Sequence, residues 1–92
     1  MRAIWKNQVL AESDETILIE GNHYFPPASL NMEFFEESSK TTKCFWKGRA
    51  NYYSVCVEGA THADAAWYYK EPKKRAEEIK GYVAFWRGVV VT

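Results

Sequence analysis

Asn51-Tyr-Tyr-Ser-Val-Cys-Val-Glu58 is the longest β-forming run in the chain, and its alternation sets the fold class. Successive side chains of a strand point to opposite faces. Tyr53, Val55 and Val57 therefore share one face, and Tyr52, Ser54 and Cys56 share the other. The first set is apolar and reads as core. The second combines a phenol, a hydroxyl and a thiol, which suits either the lining of a cleft or a half-exposed face.

Outward from this run the same punctuation repeats. Short β-branched and aromatic segments are separated at close intervals by turn residues, the pattern of an antiparallel all-β domain. Strands are expected near Arg2–Trp5, Gln8–Glu12, Thr16–Glu20, Thr42–Trp46, Asn51–Glu58, Ala65–Tyr69, Tyr82–Trp86 and Val89–Val91. Turns are expected at Lys6-Asn7, Ser13-Asp14-Glu15, Gly21-Asn22, Lys47-Gly48-Arg49, Glu58-Gly59 and Arg87-Gly88. Tyr24-Phe25-Pro26-Pro27 must be extended, because proline pushes its predecessor out of the α region. One short helix is expected from Pro72 to about Lys80, with Gly81 as its stop. Its intrinsic support is poor: Lys73, Lys74 and Arg75 crowd the N-terminal end, where the helix dipole disfavours cations. Ala76 and Ile79 must therefore pack on a sheet to hold it. Met32–Phe35 fits a helical turn after Ser29 as well as it fits a strand.

The chain of 92 residues suits a single domain over residues 1–92. Phe, Tyr and Trp total 15 against 14 Ile, Leu and Val, so ring packing weighs as much as aliphatic packing. Twelve bases balance 12 acids, and a net charge of zero excludes a histone-like coat on duplex nucleic acid. The balance is uneven along the chain: residues 1–39 carry seven acids and two bases, residues 40–92 five acids and ten bases. Two cysteines, Cys44 and Cys56, are too few for a disulfide scaffold, and no Cys-x-x-Cys or His-x-x-x-His spacing offers a metal site. Neither a cleavable leader nor a membrane-spanning run is visible, so a soluble protein of the reducing cytoplasm is expected, without a cofactor.

Four segments carry a family resemblance: Glu20-Gly-Asn-His-Tyr-Phe-Pro26, Cys44-Phe-Trp-Lys-Gly48 with Tyr52-Tyr-Ser54, Ala65-Ala-Trp-Tyr-Tyr69, and Ile79-Lys-Gly-Tyr-Val-Ala-Phe85. In order and along nearly the whole chain, they resemble the small domains of unknown-function family 427, sometimes labelled nucleotidyltransferase-like. The resemblance implies a β-tent (Mss4-like) fold: two small antiparallel sheets meeting at a steep angle with a groove between them. Many β-tent relatives hold zinc through paired Cys-x-x-Cys knuckles, and this chain has neither pair. The family usually has Pro between the Cys and Trp of its Trp-Lys-Gly motif, where this chain has Phe45, which restores an N–H donor and adds a ring. Nucleotidyl transfer finds little support: no Gly-Ser motif precedes paired aspartates, and Asp14 and Asp64 are the only two aspartates.

Within those segments the residues suited to a ligand site are Tyr24, Trp46, Lys47, Tyr52, Trp67 and Tyr69. Large rings with few charges are what ligand pockets are made of. Trp46 suits a pocket wall, with Lys47 as one cation for an anionic ligand or simply as a solvated turn lysine. Trp67 and Tyr69 share a strand face; such pairs are commonly cross-strand packing and are also equipment for stacking a flat ring or caging an ammonium. The expected function is binding of a small aromatic or anionic ligand in a groove between sheets. An enzyme, a hydrolase or transferase, is the alternative, with Cys44 as nucleophile, His23 as base and Glu20 as its orienter. A buried inert Cys44, a loop His23 satisfied by backbone, and Glu20 paired with Lys47 are the plainer roles. The third class is a protein-interaction module. Lys73-Lys74-Arg75 is expected to be a solvated helix end. The expected partners are a small molecule, with no nucleic acid and no membrane, and the expected state is a monomer or weak homodimer.

Overall fold

Nine strands and three short 3₁₀ segments make up the computed structural model, which describes residues 1–92. The strands are β1 (Arg2–Trp5), β2 (Gln8–Glu12), β3 (Ile17–Ile19), β4 (Asn22–Tyr24), β5 (Phe35–Cys44), β6 (Gly48–Val57), β7 (Ala60–Tyr68), β8 (Val83–Phe85) and β9 (Val90–Val91). All pairings between them are antiparallel. The main sheet has the order β5-β6-β7-β8, a second sheet the order β2-β1-β9, and β3 and β4 form a hairpin. That hairpin reaches the β8 edge of the main sheet, where Phe25 and Val83 exchange backbone hydrogen bonds of 2.8 and 2.9 Å.

The alternation in β6 divides two apolar clusters. Val55 and Val57 are buried in the larger one with Leu10, Phe25, Phe35 and Phe85, and Tyr53 packs against it. Tyr53 stacks on Tyr68 of β7 with centroids 4.5 Å apart, an aromatic pair that ties the two strands on this face. On the opposite face, Ala50 is buried in a second cluster with Tyr24, Tyr69, Ile79 and Ala84, and Tyr52 packs on it. Both faces of β6 are therefore covered along part of its length.

The strand ends show where apolar alternation stops being informative. β5 begins at Phe35, seven residues before the expected Thr42, and includes Glu36-Glu37-Ser38-Ser39-Lys40-Thr41. This polar run forms an edge strand, and a charged edge discourages pairing with other chains. β7 begins at Ala60, before the expected Ala65, and its added residues Thr61–Asp64 are mostly polar. The register shifts on both sides of β6, between Glu37 and Thr41 in β5 and beside Tyr53 and Val55 toward β7. Asp64 takes φ 54° at the second irregularity. Its backbone N–H donates to Ser54 Oγ (3.1 Å) and its carboxylate accepts from Ser38 Oγ (2.5 Å). Three strands are thus tied together where the pleat is broken.

Two tight hairpins behave as expected. Lys6-Asn7 and Glu58-Gly59 have positive φ at both residues, the geometry that matches strand twist in two-residue loops. The β3–β4 turn lies at Glu20-Gly21, one residue earlier than expected, which frees Asn22 to start β4. β1 also pairs with β9, and Arg2 and Thr92 exchange backbone hydrogen bonds of 2.8 and 2.9 Å.

The expected helix after Pro72 is a 3₁₀ segment, Lys74–Ile79, broken at Ala76 where φ is −115°. Lysines and an arginine at its start and the absence of a side-chain cap explain why no α-helix forms. Ala76 and Ile79 are buried in the second cluster, so packing helps to keep the segment in place. Pro27–Ser29 and Met32–Phe34 are also single 3₁₀ turns, and the strand starts immediately after, at Phe35. No helix is long and apolar enough to cross a membrane.

Candidate functional site

The β5–β6 hairpin turns through Phe45, Trp46 and Lys47 into Gly48. Gly48 has φ 108°, a conformation that side chains resist, and a Cβ there would lie 3.3 Å from the backbone nitrogen of Lys73. That same nitrogen donates to the Lys47 carbonyl at 2.9 Å, docking the 3₁₀ segment against the hairpin. The crossing turns Lys47 inward.

Lys47 is the only charged residue buried in the chain, at 6 % exposure. Its ammonium donates to the Glu20 carboxylate and lies 5.4 Å from the centroid of Trp46 and 5.6 Å from that of Tyr69. Burial pulls the ammonium toward neutrality. The hydrogen bond to Glu20, with Tyr24 and Tyr69 nearby, outweighs it, so Lys47 holds its proton above the usual lysine range. The same hydrogen bond and charge keep the Glu20 carboxyl below its usual range. Burial pushes the Tyr69 phenol up to about 12, with the Lys47 charge opposing. Of the Trp67–Tyr69 pair that the sequence offered as a cage, Tyr69 therefore faces the chain's own ammonium, with Trp46 rather than Trp67 as the second ring, and the Lys47 charge is directed to Glu20.

Beside this pair is a cavity of about 300 Å³ lined by Tyr52, Trp67, Tyr69 and Trp86, with Lys43, Cys44 and Lys47 completing the wall. Trp67 is fixed from behind. Its indole N–H donates to the hydroxyl of the fully buried Tyr24 at 3.1 Å, and the two rings meet edge to face at 6.4 Å. Trp86 meets Trp67 at 6.3 Å and 69° and is half exposed, so it forms the outer lip. Tyr52 is held at its tip by a 3.0 Å hydrogen bond with the Thr42 hydroxyl.

Four of the six ligand residues expected from sequence, Lys47, Tyr52, Trp67 and Tyr69, line this one cavity. Tyr24 supports it through Trp67, and Trp46 lies against the Lys47 ammonium rather than in the lining. Trp86 was not among them. Its signal was alternation: Val83 and Phe85 enter the larger cluster, Ala84 the second, and Trp86 continues the Ala84 side just before the Arg87-Gly88 turn.

Cys44 is half-buried on the cavity wall. His23 Nδ1 is hydrogen-bonded to the Thr16 hydroxyl at 2.9 Å, and Glu20 engages Lys47. No hydrogen bond joins Cys44, His23 and Glu20 to one another. No three His, Cys, Asp or Glu side chains converge, and Cys44 and Cys56 lie on different strands.

Residues 1–92 match the model of the family described as a domain of unknown function, DUF427, and the chain belongs to that family. Among curated proteins nothing matches it.

Proposed function

We propose that this DUF427 chain binds a small molecule carrying a flat aromatic ring, held in the cavity between Tyr52, Trp67, Tyr69 and Trp86. The carrying observation is four rings around one concave space of about 300 Å³, at the lower end of the usual range for ligand pockets. Internal neutralisation of Lys47 by Glu20 favours the aromatic over the anionic form of the expected ligand for this cavity. Stacking against tryptophan and tyrosine, with an ammonium held at the back wall, then supplies the affinity. The walls of this cavity come from β5 to β8 of the main sheet and the residues adjoining them, not from a groove between two sheets as the sequence led one to expect.

Titration with indole and 2-naphthol, followed by tryptophan fluorescence, tests the proposal. Saturable quenching is expected, and Trp86→Ala is expected to weaken it severalfold while leaving the melting temperature nearly unchanged, since Trp86 is 52 % exposed. Absence of saturable quenching by either probe, or quenching indifferent to Trp86→Ala, overturns it.

A further inference from the structure

A second, larger concavity lies at the same hairpin. It encloses about 620 Å³, and its walls include Lys43, Arg49, Lys70, Lys73, Glu71 and Phe45. Lys43 and Arg49 are direct cross-strand partners in the β5–β6 pair, and Lys43, at the rim, also reaches the wall of the smaller cavity. Lys70 and Lys73 enter from the segment that follows β7.

The charge arrangement runs against the needs of folding. Like charges directly opposite on neighbouring strands destabilise a sheet. In a chain whose bases and acids balance, four of the 12 bases line this one groove. None of the four forms an ion pair, although Glu71 lies in the same wall, because Glu20–Lys47 is the sole ion pair of the chain. Lys73 has a partner of another kind: its ammonium donates to the Phe45 carbonyl at 2.9 Å and lies 6.0 Å from that ring's centroid. Lys43, Arg49 and Lys70 make no side-chain hydrogen bond and are exposed. The Phe45 ring is 93 % exposed beside them, an apolar plate with the Lys73 ammonium near it.

We propose that this groove binds a phosphorylated small molecule, with Lys43, Arg49 and Lys70 on the phosphate oxygens and a flat apolar part of the ligand against Phe45. A phosphate supplies the charge that turns the Lys43–Arg49 repulsion into shared attraction, and the guanidinium gives it a two-pronged donor. The volume fits a small molecule. A polynucleotide needs a longer basic track, whereas residues 1–39 on the same chain carry seven acids and two bases.

The test is an amide NMR titration of the whole chain at physiological ionic strength with pyrophosphate, phenyl phosphate, phenol and a single-stranded RNA octamer. Pyrophosphate and phenyl phosphate are expected to give saturable shifts at Lys43, Arg49 and Lys70, and phenol none at Arg49 and Lys70, the two that line this groove alone. The Arg49→Gln/Lys70→Gln variant is expected to weaken pyrophosphate by about tenfold, the loss of two charge-assisted contacts. Phe45→Ala is expected to weaken phenyl phosphate and leave pyrophosphate unchanged. Melting without anion separates binding from structure: the double variant is expected to melt no lower than the parent, because repulsion is relieved. No saturation with pyrophosphate, shifts unaffected by the double variant, or a lower melting temperature in that variant overturns the proposal. An RNA octamer bound about tenfold more tightly than pyrophosphate also overturns it, replacing the small molecule with single-stranded nucleic acid.

Discussion

Glu20 and Lys47, on the turns of two different hairpins, meet as carboxylate and buried ammonium and hold the β3–β4 hairpin against the β5–β6 hairpin. The partners are unequal. Lys47 is nearly enclosed by rings, whereas the Glu20 side chain is 54 % exposed. Water therefore screens one end of the pair and not the other, and the two ends fail differently when perturbed.

Acid is expected to act through Glu20. Its carboxyl titrates below the ordinary value of 4.5 in the folded chain, so its contribution is present at neutral pH and is lost as pH falls through the lowered value. Lys47 titrates above 10.5 when folded, so its contribution holds below that value and is lost only as pH rises through the raised one. Melting followed by calorimetry from pH 3 to 7 checks this. Glu20→Gln is expected to melt lower than the parent at pH 7, and the gap is expected to close toward pH 3. A constant gap contradicts the assignment.

Removing both charges is expected to be milder than removing one. Glu20→Gln leaves an ammonium enclosed by Trp46 and Tyr69 without its counter-charge, whereas adding Lys47→Met replaces it with an apolar chain of similar length. In urea unfolding the double variant is expected to be more stable than Glu20→Gln alone. The reverse order would show that the cage prefers a cation even when unpaired.

Tyr24→Phe is expected to cost about 1 kcal/mol, because it leaves the Trp67 indole N–H facing a buried ring instead of an acceptor. The exchange removes only the hydroxyl oxygen and keeps the ring, so the loss is chiefly that of the hydrogen bond. Urea denaturation gives the energy, and altered Trp67 emission gives the local reading.

Gly48→Ala is expected to destabilise by roughly 1–3 kcal/mol, since φ 108° is strained for alanine and the new methyl presses on the Lys73 backbone. The hydrogen bond from Lys73 N–H to the Lys47 carbonyl is expected to loosen with it. Faster amide exchange at Lys73 is the measurement.

The sequence revealed most where apolar alternation and turn chemistry coincide. β1 and β2, with their Lys6-Asn7 turn, follow directly from those rules, as does the face of Tyr53, Val55 and Val57. The polar half of β5 was invisible because an edge strand has little need of buried residues, so Glu36–Thr41 carry no period-two apolar signal. The expected helix failed for the reason its own residues advertise, cations at the N-terminal end. At the site, Trp67 and Tyr69 were legible as aromatic neighbours on one strand face. That Lys47 is turned inward was not, because it depends on Gly48 letting a segment from 25 residues later cross behind the hairpin. Lys43 and Arg49 are not legible as a pair because five residues of hairpin separate two cations that the pairing register makes adjacent.

The mutual backbone bonds of Arg2 and Thr92 give the molecule the geometry of a ring cut at one point. Where the chain is opened is then a matter of connectivity rather than architecture. A short linker between Met1 and Thr92, with a new opening at the exposed Glu58-Gly59 turn, would keep every strand beside its present neighbours. It would also exchange the order in which contacts close. The β1–β9 pairing, now the longest loop the chain must shut, would become local, while β6–β7 would take its place as the distant partnership. The architecture is indifferent to its own starting point, though the route by which it assembles is not.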